Sequence, residues 1–200
     1  MTGLCVCWEL AHRRVGLSRT FAQMSTPLPH IAPATDERDT LLAFLGYQRA
    51  VVRRKVEGLS QQQWQRRLDG HPSTLSIGAI VKHLSSCEIW WARAVWAGNS
   101  SEQIQDPWGA GWQQVDHDWE WETHTDSPAT LLNWFDQAIT LADETYAPAA
   151  LHELSRRPWG SPTPEYVNLR WILVHLIEEY ARHLGHLDLL REQIDGSVGD

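Results

Sequence analysis

From Asp36 onward the apolar residues return at helical spacing. Leu41, Leu42, Leu45, Val52 and Val56 recur until Gly58, behind Thr35 or Asp36 as a cap and acids in the first turn. LSQQQWQRRL reads as a short polar helix or turn, and GHPS as a loop. A second periodic stretch runs from Leu75 to Ala97, closed by Gly98 and Asn99. Ser127-Pro128 is a cap followed by Pro at the first helical position, and opens a third helix to Tyr146. Asn168 caps a long final helix through Ile194, ended by Asp195-Gly196.

The predicted helices are therefore Thr35–Gly58, Leu75–Ala97, Pro128–Tyr146 and Asn168–Ile194. No stretch alternates with period two for long enough to require a sheet. Residues 99–127, rich in Gly, Pro, Asp and Trp, form a long ordered loop, and 150–166 form another. Four long helices with connections too long for simple hairpins predict an all-α four-helix bundle with long crossover loops.

The segment before Asp36 reads differently. Residues 1–23 lack a basic start followed by an apolar core and a cleavage site, so no secretory signal is expected there. Met24 opens a plausible native start with a Pro-rich lead-in. The expected organisation is a disordered N-terminal extension over 1–35, one helical bundle over 36–196 and a tail over 197–200.

Composition narrows the function. No run of about 18 apolar residues is free of charge, which excludes a membrane-spanning helix. A formal net charge of -8 makes the chain a poor ligand for nucleic acid phosphates. Cys5, Cys7 and Cys87 form no CxxC pair, so a thiolate zinc site has no support, and an odd, sparse set suits a reducing cytoplasm. Two counts stand out: 12 Trp and 10 His among 200 residues.

The histidines are placed unevenly. In the final helix, NLRWILVHLIEEYARHLGHLDLLREQI, the residues His175, Glu179, His183 and His186 share roughly one quarter of the circumference. Ile172, Leu176, Leu187 and Leu190 lie beside them, so titratable groups interrupt the stripe that should face the core. An unpaired carboxylate there is expensive, and Glu179 needs a partner. Glu179 and His183 are four apart and point to one spot, as a helix does when it offers two ligands to one divalent metal. His83, among Ile80, Leu84, Cys87, Trp91 and Ala94, reads alone as a core histidine, but opposite an inward Glu and His it becomes the expected third ligand from the second helix. Three protein ligands leave positions open for water and substrate, which marks a catalytic site.

Together, TLSIGAIVKHLSSCEIWWARAVWAG and RWILVHLIEEYARHLGHLDLLREQIDG resemble the DinB-like superfamily of four-helix metalloproteins. The likeness is closest to the branch of mycothiol-dependent transferases and maleylpyruvate isomerases, and covers residues 36–196. It implies one His from the second helix and two ligands four apart from the last, which here are His83, Glu179 and His183. Many relatives carry His in place of Glu179, and Gln in place of His186. The first departure fits the mycothiol-linked branch. The second leaves His186 as an outer-shell or substrate-side group.

Other residues keep two readings. His175 is a fourth ligand, an outer partner or a core histidine. Cys87 is a small apolar filler, a ligand or a nucleophile. Trp90, Trp91 and Trp96 follow the helix and read as core. Trp108, Trp112, Trp119 and Trp121 either fold the loop over the metal mouth as a lid or pack at the interface of a homodimer. His117, His124 and His152 read as solvated loop residues, and Asp116, Asp118, Glu120 and Glu122 as a solvated face, with a negative rim around a pocket as the other reading. Arg170 and Arg182 stand where an anionic substrate would meet them, with a surface salt bridge as the plainer role.

The implied activity is transfer of a thiol to a small electrophile, or a thiol-assisted isomerisation. A divalent ion, with zinc first in order, would lower the pKa of a bound low-molecular-weight thiol. Mycothiol is the thiol the resemblance implies, with bacillithiol as its counterpart in other relatives. Arg182 and His186 are the candidate cofactor contacts, and no catalytic acid or base stands out. The rival readings are a bundle that holds a metal and a small molecule without turnover, and a bundle whose histidines are buried for packing alone.

Overall fold

The computed structural model describes residues 27–114 and 119–199. The extension expected over 1–35 lies mostly outside the described residues, and 27–35 carry no regular secondary structure.

Among the described residues there are six α-helices. Helix α1 is Glu37–Val56, its N-terminus satisfied by the Asp36 carboxylate, which accepts from the Asp39 amide. Acids open it and Arg53, Arg54 and Lys55 close it, as the helix dipole favours. Helix α2, Gln61–Trp64, is one turn held by a Ser60/Gln63 capping box. Helix α3, Ile77–Ile89, starts at Ser76 and is buried at most of its positions. Short α4, Trp108–Trp112, lies in the crossover. Helix α5 is Pro128–Tyr146 and α6 is Leu169–Asp195. Gly196, at φ 77°, takes the left-handed conformation that ends α6.

The expected helix Leu75–Ala97 divides in two. After Ile89 the chain continues as a π-helix, Trp90–Trp96, whose wider turns pack Trp91, Ala92, Ala94 and Val95 inward. Periodicity alone does not distinguish the two windings over seven residues. The loop over 99–127 holds α4 and a 3₁₀ turn at Ser101–Gln103. Among the described residues there are no strands, only isolated bridges such as Leu154–Asn168. None of the described helices is long and apolar enough to cross a membrane.

Helix α3 packs on α5 and α1 on α6, and α3 also meets α6. Leu45, Val52, Ile80, Leu84, Phe135, Leu176 and Leu187 fill the centre. A second cluster of Ile89, Ala94, Ile104, Trp108 and Ala138 seats the crossover segment against α3 and α5.

One polar network joins the four long helices. Arg49 of α1 donates from Nε and Nη2 to both oxygens of Glu88 in α3, at 2.7 and 2.8 Å. Its Nη1 donates to Asp143 of α5 at 2.8 Å, and Tyr180 of α6 donates to Glu88 at 2.7 Å. Glu88 is fully buried. Burial works against the charge of Arg49, but the Glu88 carboxylate outweighs it and holds the guanidinium firmly protonated. Burial and the same carboxylate push the Tyr180 phenol well up, so it stays a donor. The fork-to-fork pair at the bundle centre fixes how α1 and α3 face each other, and the Tyr180 hydrogen bond ties α6 to the same carboxylate.

Candidate metal centre

Helices α3 and α6 bring His83, Glu179 and His183 together, their ligand atoms all within 4.8 Å of one another. Glu179 Oε2 stands 3.9 Å from His83 Nε2 and 3.6 Å from His183 Nε2. The spacing of four in α6 aligns Glu179 with His183, and the buried seat of α3 turns His83 toward them. Donors around a tetrahedral zinc stand roughly 3.3–3.5 Å apart at bond lengths of about 2.0–2.2 Å. The observed spacing is wider than that.

The protonation pattern bears on whether a cation fits. His83 Nδ1 lies 3.2 Å from Glu120 Oε2. A carboxylate only accepts, so Nδ1 is the ring nitrogen that donates to Glu120, and Nε2 is the one turned to the cluster. Nε2 faces Glu179 Oε2. His183 is pushed down to about 3, chiefly by burial, then by His83, His186 and Arg182. It is neutral at physiological pH. Two imidazole nitrogens and a carboxylate oxygen, gathered closely yet beyond hydrogen-bond distance of one another, make a donor set that suits a divalent cation.

The residues behind the cluster are ordered by the same contacts. His186 Nδ1 lies 3.5 Å from His183 Nδ1, on the ring edge away from Glu179. His175 Nε2 lies 3.8 Å from Glu179 Oε1, the oxygen turned away from the two imidazoles. Trp91 and Trp171 wall it, the latter stacked with ring centroids 5.0 Å apart. Both histidines therefore back the converging residues instead of joining them. Arg182 pairs with Glu178 and is half exposed, and Arg170 pairs with Glu37 at 2.9 Å. Neither Arg182 nor His186 lies on the wall of the main cavity.

That cavity, of about 550 Å³, reaches the cluster at His83, Cys87 and Glu120 and runs along α3 past Trp90 and Trp112. Cys87 Sγ is 3.4 Å from His83 Nε2. Burial pushes its thiol well above the ordinary range, with the charges of Glu120, Glu179 and Glu88 adding to the effect, so it remains a thiol.

The crossover loop corrects one expectation. Glu120 does not belong to a solvated face; it is partly buried against His83 and lines a cavity, the place of the rim reading. Trp121 stacks on the same imidazole, centroids 4.3 Å apart and planes 21° apart. The cause is Lys82, beside His83 in the chain. Its buried ammonium donates to the Glu122 carbonyl at 2.7 Å and to Asp126 at 2.8 Å, under the Trp119 ring at 4.3 Å. A Cβ on Gly111 would run into that ring, so the loop closes over a bare backbone. Trp108 is fully buried, and Trp112 meets Trp90 edge to face. His124 and His152 are exposed, while His117, Asp116 and Asp118 lie outside the described residues.

Sequence reasoning missed Lys82, the Glu120 contact and the Arg49–Glu88–Tyr180 network. The available signal was Lys82 itself, a cation inside a run of otherwise buried helix.

No curated protein matches the chain significantly. A family model described as mycothiol-S-transferase matches residues 40–196, well over half of the chain and all of the residues that build the cluster. The chain belongs to the mycothiol-S-transferase family, a DinB-like family.

Proposed function

We propose that the protein is a divalent-metal-dependent S-transferase, in which His83, Glu179 and His183 hold the ion and a mycothiol-type thiol is joined to a small electrophile. The observation that carries this reading is the convergence of two imidazole nitrogens and one carboxylate oxygen, drawn from two helices, within 4.8 Å of one another. The N₂O donor set fits zinc and leaves room for an exogenous ligand. When bound there, a divalent cation lowers the pKa of a thiol that reaches it, so that thiolate exists at neutral pH.

The chain's own residues do the rest. Glu120 and Trp121 fix the ring orientation of His83. Burial keeps His183 unprotonated across the working pH range. The aromatic wall of Trp90 and Trp112 offers an electrophile a water-poor surface beside the cluster. Sulfur then bonds to the electrophilic carbon, the leaving group takes the displaced electron pair, and the thiol proton passes to solvent. Burial and the neighbouring carboxylates push the Cys87 thiol up, which favours its protonated form.

The test mixes zinc-loaded protein with mycothiol and chlorodinitrobenzene. Conjugate should form above the uncatalysed rate, and Glu179→Ala should return it to that rate. Metal content without any gain in conjugate would leave a binding protein and refute the transferase reading.

A further inference from the structure

The cavity beside the cluster is polarised along its length. One end carries the carboxylate of Glu120 against His83. The other carries Arg157, whose guanidinium lies 5.5 Å over the Trp90 ring and pairs with no carboxylate among the described residues. Its backbone is anchored, since the Arg157 amide donates to the Val95 carbonyl at 3.1 Å. Arg170 and Arg182, by contrast, are each engaged by a glutamate.

Between the ends stands Ser86. Its neighbour Ser85 donates to the Lys82 carbonyl at 2.7 Å. Ser86 Oγ is buried, lines the cavity and has no hydrogen-bond partner. A buried hydroxyl in that condition calls for a partner from outside the chain. Past it, Trp90 and Trp112 meet at 90°, which makes a flat-walled corner.

We infer that this cavity takes a flat organic carboxylate, its ring in the Trp90–Trp112 corner, its anion on Arg157 and a polar substituent on Ser86 Oγ. The inference rests on the reading of the cluster as the reacting end. Glu120 repels an anion from that end, so the carboxylate lies at Arg157 and the far edge of the molecule faces His83. His83 and Trp90 are seven helical residues apart, roughly 10 Å, which is the length of a fused or substituted aromatic ring. The shared chemistry is a carboxylate, and it can arrive on the electrophile or on the thiol.

The full-length, zinc-loaded protein is titrated calorimetrically with 2-naphthoate and with 2-naphthamide, which has the same flat body without the charge. Naphthoate should bind about tenfold tighter, as a guanidinium–carboxylate fork supports. Arg157→Met should remove that preference and Arg157→Lys restore part of it. Because Arg157 is exposed, the variant is expected to fold, which its far-ultraviolet spectrum verifies. 6-Hydroxy-2-naphthoate should gain several-fold over 2-naphthoate, a gain lost in Ser86→Ala. A parallel pair, N-acetylcysteine against N-acetylcysteinamide, separates the sources. Sensitivity to Arg157 in this pair assigns the anion to the thiol, and sensitivity in the naphthyl pair alone assigns it to the electrophile. If both carboxylate preferences are absent, or survive Arg157→Met, the inference is overturned. These are binding measurements, so they stand or fall separately from turnover.

Discussion

Glu120 reaches out of the crossover loop to hold Nδ1 of His83, a helix residue, at 3.2 Å. The loop thereby sets the tautomer of a ring that the bundle positions, and the two parts of the site depend on each other. Glu120→Ala should lower zinc affinity by about 10–100-fold, the usual consequence of losing a carboxylate behind a metal-ligating imidazole. Competition with a chromogenic chelator measures it, and the melting temperature of the metal-free protein should change little. Unaltered affinity would make the Glu120 contact incidental.

Lys82 is the fastener of that loop. Lys82→Met removes the donor to Glu122 and Asp126 and the cation beneath Trp119. Helix content should be preserved, while tryptophan emission shifts to the red and acrylamide quenching rises as Trp119 and Trp121 become wetter. Zinc affinity should fall alongside, because Glu120 loses its seat. An unchanged emission spectrum would show that the loop is held by something else.

The bundle centre makes a sharper stability prediction. Arg49→Met leaves Glu88 buried without its cation, and removing one partner of such a pair costs about 3–5 kcal/mol. Tyr180→Phe removes one hydrogen bond to the same carboxylate and should cost about 1.5–3 kcal/mol. Urea unfolding gives both values. Equal losses for the two variants would contradict the assignment of Glu88 as the hub.

Much of this was legible along the chain, and what was not has a physical reason. Helical spacing of four made Glu179 and His183 neighbours before any fold was known, and an apolar face marked His83 as inward. Capping residues Asp36, Ser127 and Asn168 located helix starts to within a residue or two. The Arg49–Glu88–Tyr180 network could not be read because its members sit on three helices, and periodicity within one helix says nothing of which face meets which. Glu120 and Trp121 lie in a segment without a period, so only the pull of Lys82 reveals where they go. The π-helix after Ile89 uses residues that serve an α-helix equally well.

The pH dependence follows from His183. Its pKa falls from the ordinary 6.5 to about 3 on folding, so between those values the unfolded chain binds more protons than the folded one. Stability must therefore rise with pH across that window and be lost as pH falls from about 6.5 toward 3. The metal-free protein should show this slope in urea midpoints, and His183→Gln should flatten it. A wild-type midpoint constant from pH 7 to pH 4 would contradict the buried, neutral state of the ring. Zinc should add stability that disappears over the same acid range, because protons compete for the same nitrogens.

Metal stoichiometry tests the central claim most directly. Zinc-loaded, desalted protein is analysed for bound metal beside His83→Ala, Glu179→Ala and His183→Ala. The account predicts one equivalent in the wild type and a large loss in each of the three variants. A wild type that retains no metal, or a Glu179→Ala variant that keeps a full equivalent, would contradict it.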